Sequence, residues 1–227
     1  MVSGFKNLTQ KQTIPTLENG DHLTQVEFER RYSASTIKKA ELIEGTVYMA
    51  SPLRIKKHGN PHARVMTWLG TYWSATPGIE LGDNSTVRLD ADNEPQPDAL
   101  LRIEKGGQST ISEDGYVEGA PELIVEIAAS SVSIDVHDKL KVYRRNQVQE
   151  YLVWRVEDEE IDGFHWKEGN YIQHQPNSEE IICSEVFPGL WLNKEALLTG
   201  NLMKVIEGVQ RGLSTRDHQN FVERLSL

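Results

Sequence analysis

The segment LIVEIAA, residues 123–129, places a single glutamate, Glu126, among six apolar residues. A strand with one wet face alternates apolar and polar side chains. This one does not, so it must be covered on both faces, as the central strands of layered α/β sheets are. Glu126 then leaves water with the rest of the strand. A carboxylate so placed costs several kcal/mol unless it is paired, protonated or bound to a cation.

The chain of 227 residues matches one domain with additions, and its 38% hydrophobic and 26% charged composition supports a packed core in a soluble protein. It contains no run of eighteen apolar residues, so no membrane-spanning helix is expected. The polar N-terminus lacks the apolar stretch of a secretory signal. Cys183 is the only cysteine, which excludes an intramolecular disulfide and a cysteine-built zinc site. A cytoplasmic location follows as the expectation. The net charge of −10 opposes long-range attraction to DNA, so nucleic-acid binding would need a local basic patch or metal ions.

Residues 1–22 read as a loosely held arm, 23–193 as the main domain and 194–227 as a helical extension. Thr24 followed by Glu27 predicts a capping box opening a short helix. Glu44-Gly45 predicts a tight turn between two strands. Val65, Trp68, Leu69 and Tyr72 have helical spacing, and strands are expected at "IELG", "STVRLD" and "PDALLRI". Residues 105–119 form a loop or a protruding hairpin. A helix containing Val136, Leu140, Val142 and Tyr143 then leads to the strand EYLVWRV, and a hairpin turns about Gly169-Asn170. Leu197, Leu198, Leu202, Val205, Ile206 and Val209 give the last helices an apolar face, for this chain's own core or for a second subunit. These elements make an α/β or α+β fold.

Asp98 heads another apolar strand, after Pro97, and meets Glu126 if the two strands are neighbours. Its plainest role is to cap a turn, and that of Glu126 is to pair with a cation. Lys139 lies on the helix that returns over the Glu126 strand. It is either a salt-bridge partner for Glu126 or the cation beside a metal-bound water. Glu44 is either a solvent-facing turn residue or a fourth member of the group.

The ordered set LIEGTVYMASP, QPDALL, PELIVEIAASS and DKLKVYRRNQVQEYLVW resembles the Uma-two family of restriction endonucleases from about Leu23 to Trp191. That family belongs to the PD-(D/E)XK nuclease superfold and is abundant in cyanobacteria. The resemblance implies a restriction-endonuclease-like core, a central mixed sheet flanked by helices, with an extra hairpin and the C-terminal helical extension. It implies a Mg²⁺- or Mn²⁺-dependent endonuclease acting on DNA as a homodimer. Glu44, Asp98, Glu126 and Lys139 would be its catalytic residues, and the metal ligands would be Asp98, Glu126, the Ile127 carbonyl and Glu44. Asp135, four residues before Lys139, would steady the lysine. In the usual pattern the lysine stands two residues after the glutamate, where this chain has Ala128. Lys139 is therefore assigned as a migrated lysine, with Lys141 the competing choice. The alternative function is an inactive nuclease-fold protein serving as a binding module.

His58 and His62 are four apart, but Gly59 and Pro61 argue against a regular helix there, so hydrogen bonding is preferred to a metal role. His165 and His174 are expected to be exposed. Ser51, Ser130 and Ser131 have no evident His–Asp partners, and no phosphate-binding glycine loop is present. Arg54, Lys56, Lys57 and Arg64 gather where a local basic patch would be useful.

Overall fold

The fold is built around strand β8, Leu123–Ala128, all six of whose residues are buried. The computed structural model describes residues 13–49, 53–129 and 132–226, which leaves Ser51, Ser130 and Ser131 outside the described residues. Before β8 come α1 (Gln25–Ser33), the hairpin β1 (Ala40–Ile43) and β2 (Thr46–Met49), a π-helical turn (Ile55–Gly59) and α2 (Asn60–Trp73). Strands β3 (Ile79–Asp83), β4 (Val87–Arg88), β5 (Ala99–Ile103), β6 (Thr110–Ile111) and β7 (Val117–Glu118) follow. After β8 a second π-helical turn (Ile134–Lys139) runs into α3 (Leu140–Arg145). The chain continues through β9 (Glu150–Arg155), β10 (Glu160–Lys167), β11 (Asn170–Gln173), β12 (Ile181–Cys183) and β13 (Trp191–Asn193). It closes with α4 (Lys194–Thr199), α5 (Leu202–Leu213) and α6 (Arg216–Leu225).

The central sheet has the order β11-β10-β9-β8-β5-β3. The β8–β9 pair is parallel, because α3 carries the chain back over the sheet, and the other neighbours are antiparallel. The sheet is therefore mixed, flanked by helices, with extra hairpins and a C-terminal helical extension. Alternation along β8 sends Leu123, Val125 and Ile127 into one core with Trp68, Leu69 and Phe187. It sends Ile124 and Ala128 into another with Val142, Tyr143 and Tyr151. Fully burying each of the large aliphatic side chains contributes about 1.5–3 kcal/mol.

Several local expectations change. Thr24 is the N-cap of α1 but makes no side-chain cap bond, and Glu27 accepts from Arg30 and Arg31. The described part of the arm is held: Leu17 is buried, and residues 20–23 exchange backbone hydrogen bonds with Gly45 and Val47. Helical geometry begins before Pro61, since the π-helical turn runs directly into α2. The late hairpin turns at Glu168-Gly169, both at positive φ, one residue earlier than expected. The short β12–β13 pair was not legible.

The C-terminal helices pack on this chain's own core, where Leu197, Val205, Val209 and Phe221 are buried. α5 comes close through two glycines. A Cβ on Gly212 would lie 2.1 Å from the Gly189 carbonyl oxygen, and Gly189 itself sits at φ +90. Replacing Gly212 by alanine should overpack this crossing and cost about 3 kcal/mol, read as an earlier urea midpoint. Gly208→Ala meets nothing within 4 Å and should stabilise α5 by roughly 0.5–1 kcal/mol.

Candidate functional site

Extending the β5–β8 ladder one residue beyond its last pair, Ala99 opposite Val125, puts Asp98 opposite Glu126. Both lie on the sheet face of Leu100 and Ile124, and facing residues hold their Cβ atoms about 4.5–5.5 Å apart. Asp98 Oδ2 accepts a 2.7 Å hydrogen bond from the Ile127 N–H and so satisfies a backbone donor that the ladder has left. Oδ1 accepts from His58 Nε2 at 3.0 Å and lies 3.7 Å from Lys39 Nζ. Burial alone would raise the Asp98 carboxyl, but His58, Lys39 and the Ile127 N–H hold it below its ordinary value.

Glu126 is 3% exposed. Its Oε1 accepts from Lys139 Nζ at 2.9 Å and from the Tyr143 hydroxyl at 2.7 Å. Lys139 Nζ also donates to Glu41 Oε1 at 2.9 Å and lies 3.6 Å from Asp135 Oδ1. Burial pushes the Glu126 carboxyl up to about 8; Lys139 pulls it down, and the charges of Asp135, Asp98 and Glu41 push it up. Lys139 is 4% exposed, and burial would lower it, yet Glu126, Glu41 and Asp135 hold it protonated well above its ordinary value. The cluster is short of positive charge.

Of the expected residues, Asp98, Glu126, Lys139 and Asp135 come together; Glu44 does not. Glu44 and Gly45 both have positive φ, so Glu44 stands at the hairpin tip and pairs with Arg145 at 2.7 Å. Glu41 occupies the place foreseen for Glu44. It shares a strand face with Ile43, whose side chain packs in the same core as the Glu126 face. Counting strand alternation back from the turn would have found it. Ile127 contributes its N–H to Asp98, while the expected role was for its carbonyl. Lys141 is exposed and lies beside Asp138, away from Glu126.

His58 makes the hydrogen bond expected of it, with Asp98 as a partner the sequence did not name. The π-helical turn brings it onto the His62 ring, at 5.7 Å between centroids, and onto Asp98. His62 Nε2 lies 3.0 Å from the Asp98 carbonyl oxygen and 3.1 Å from Asp83 Oδ1. Lys139 also sits on a π-helical turn, and such irregular turns are frequent at functional sites. Two residues of the expected basic patch are engaged elsewhere. Lys57 pairs with Glu157, and Arg64 donates to the carbonyls of Leu197 and Leu198.

The donor set suits a hard cation. Mg²⁺ is held by one or two carboxylates with water and phosphate oxygens completing its shell, and Asp98 and Glu126 can supply those two. Among the described residues, no three ligand atoms of this cluster lie within 4.8 Å of one another. The group that does is His165, His174 and Glu185, a cluster capable of coordinating a metal ion.

A model of the Uma2 family, described as "Putative restriction endonuclease", matches residues 26–195. The fold is similar to the crystal structure of a protein from Anabaena variabilis ATCC 29413, described as a putative nuclease belonging to DUF820. The likeness covers 79% of this chain and 97% of that one, with a TM-score of 0.56 and 9% identity. At that identity it speaks to the fold alone. No curated protein matches.

Lys139→Ala removes the cation that Glu41, Glu126 and Asp135 share, so it should cost about 3–5 kcal/mol. Glu44→Ala breaks a half-exposed pair and should change stability by less than about 1 kcal/mol, both read by urea denaturation. Stability should also depend on pH. The folded Glu126 keeps its proton up to about pH 8, whereas its ordinary value is 4.5. The folded chain binds the extra proton between those values, so stability falls as pH rises through that window. Glu126→Gln should flatten this fall in metal-free buffer.

Proposed function

Because the chain belongs to the Uma2 family, we propose that it is a metal-dependent endonuclease hydrolysing DNA phosphodiester bonds. The observation that carries this reading is the facing of Asp98 and Glu126 across adjacent central strands, with Lys139 on Glu126. Asp98 and Glu126 would hold Mg²⁺ or Mn²⁺, with the Ile127 carbonyl as a further donor. When bound, that ion supplies charge stabilisation at the phosphate and a more acidic water. His58 and the Ile127 N–H orient Asp98, so its carboxylate is fixed before any ligand arrives. Glu41 and Asp135 keep Lys139 protonated beside Glu126. Lys139 therefore acts as a donor to a water or a phosphate oxygen, and a general base must come from elsewhere. The apolar faces of α5 and α6 pack on this chain's own core, so the homodimer that double-strand cutting calls for would form through another surface.

A second reading is an inactive nuclease-fold protein that acts as a binding module. One observation favours it: the Lys139 ammonium already faces three carboxylates, Glu41, Glu126 and Asp135. Incubation of supercoiled plasmid with the purified chain separates the two. The endonuclease reading expects nicked or linear DNA with Mg²⁺ or Mn²⁺ and none with chelator. Asp98→Asn and Glu126→Gln should each lower the rate by roughly a hundredfold or more while circular dichroism stays unchanged. An intact plasmid with wild-type protein and either ion favours the binding module.

A further inference from the structure

His165, His174 and Glu185 form a second polar centre, on the sheet face opposite to Glu126. On β10, His165 faces Glu150, the first residue of β9. Glu150 and His165 lie on the same face as Leu152 and Ile161, in the core that holds Trp68 and Phe187, whereas Glu126 lies on the other face. Glu150 is also level with Leu123, three residues before Glu126 and so about 10 Å away along the strand. The centre is separate from the nuclease-like cluster.

Three observations mark it as a built site. One ligand atom from each of His165, His174 and Glu185 lies within 4.8 Å of the others. Both imidazoles are largely out of water, with side chains 14% and 6% exposed, contrary to the expectation from sequence. His165 Nδ1 is buried with no hydrogen-bond partner and lies 3.6 Å from Glu185 Oε1. An unpaired buried polar atom costs about 1–3 kcal/mol, so its retention calls for a reason.

The surroundings fix the donors. His174 packs against Gly163, where a Cβ would come within 3.3 Å of the ring, a tight contact that leaves the ring little room. The backbone N–H of His174 donates to the Gly163 carbonyl at 2.8 Å. Buried Glu150 accepts from the Ser184 hydroxyl at 2.6 Å and the Glu185 N–H at 2.7 Å, which pins the Glu185 backbone to the sheet. Its Oε1 also lies 3.5 Å from His174 Nε2, and a carboxylate behind a ligand histidine orients the ring and raises its basicity.

We propose that His165, His174 and Glu185 bind one transition-metal ion of the Zn²⁺ class. Two imidazoles and a carboxylate suit Zn²⁺, Co²⁺ or Ni²⁺, whereas Mg²⁺ and Ca²⁺ take oxygen donors. Three protein donors leave a position for water or an exogenous ligand. The ion ties the β10–β11 hairpin to the loop between β12 and β13, which precedes the C-terminal helices. It binds the folded chain only, so it stabilises that chain by mass action. The proposal does not depend on nuclease activity.

The test is titration of the chelator-treated full chain with Zn²⁺ alone, followed by calorimetry, and with Co²⁺ followed by its visible absorption. In the Asp98→Asn/Glu126→Gln double variant, which removes the carboxylates of the other cluster, one ion per chain is expected, with the affinity that the wild-type chain shows at its tightest site. Glu185→Gln, at an exposed position, and His165→Gln should each weaken binding by about a hundredfold or more without altering circular dichroism. Zn²⁺ binding that survives Glu185→Gln but disappears with Asp98→Asn would place the ion at His58 and His62 and overturn the proposal. Absence of Zn²⁺ or Co²⁺ binding by the wild-type chain would overturn it equally.

Discussion

The buried contact between Glu126 and Lys139 is the constraint around which the rest is arranged. Strand β8 needs apolar cover on both faces, and the sheet order and the two cores supply it. A carboxylate in that position is tolerated because Lys139 and the Tyr143 hydroxyl reach it from the π-helical turn and α3. Lys139 in turn depends on Glu41 from the β1–β2 hairpin and on Asp135. One ion pair thus couples the central strand, the crossover helix and the N-terminal hairpin.

The same cluster bears on function in two ways. A buried ion pair seldom adds net stability over a well-packed apolar pair, so its presence asks for another explanation. Burial, with the nearby carboxylates of Asp135, Asp98 and Glu41, leads Glu126 to hold a proton, and a cation at the cluster would relieve that. The engagement of Lys139 with three carboxylates is also what an electrostatic lock would require. The two readings differ in whether Lys139 gives way when a cation arrives.

The strands and helices were legible because apolar periodicity reports burial directly. The continuous apolar run of β8 and the Glu44-Gly45 turn are examples. Asp98, Glu126 and Lys139 were legible as types out of place and by family resemblance. Glu41 was missed because one glutamate lies within the short strand and another just beyond its end, and only the position of the turn decides which faces inward. Hydrogen bonding was expected of His58 and is what it does; its partner Asp98 was not legible, because Gly59 and Pro61 argue against an α-helix and a π-helical turn escapes that rule. His165 and His174 were read as exposed because a hairpin sequence does not reveal that the 184–187 loop folds over it. The Glu41 miss was within reach of local alternation, whereas the partners of the histidines are set by tertiary packing.

The most direct measurement is a crystal structure of the chain soaked in Mn²⁺, with the ion located by its anomalous signal. The account predicts a peak bound by both Asp98 and Glu126, with Lys139 drawn away from Glu126 Oε1. Density showing Lys139 still bridging Glu126 and Glu41, with no Mn²⁺ at Asp98, would contradict it.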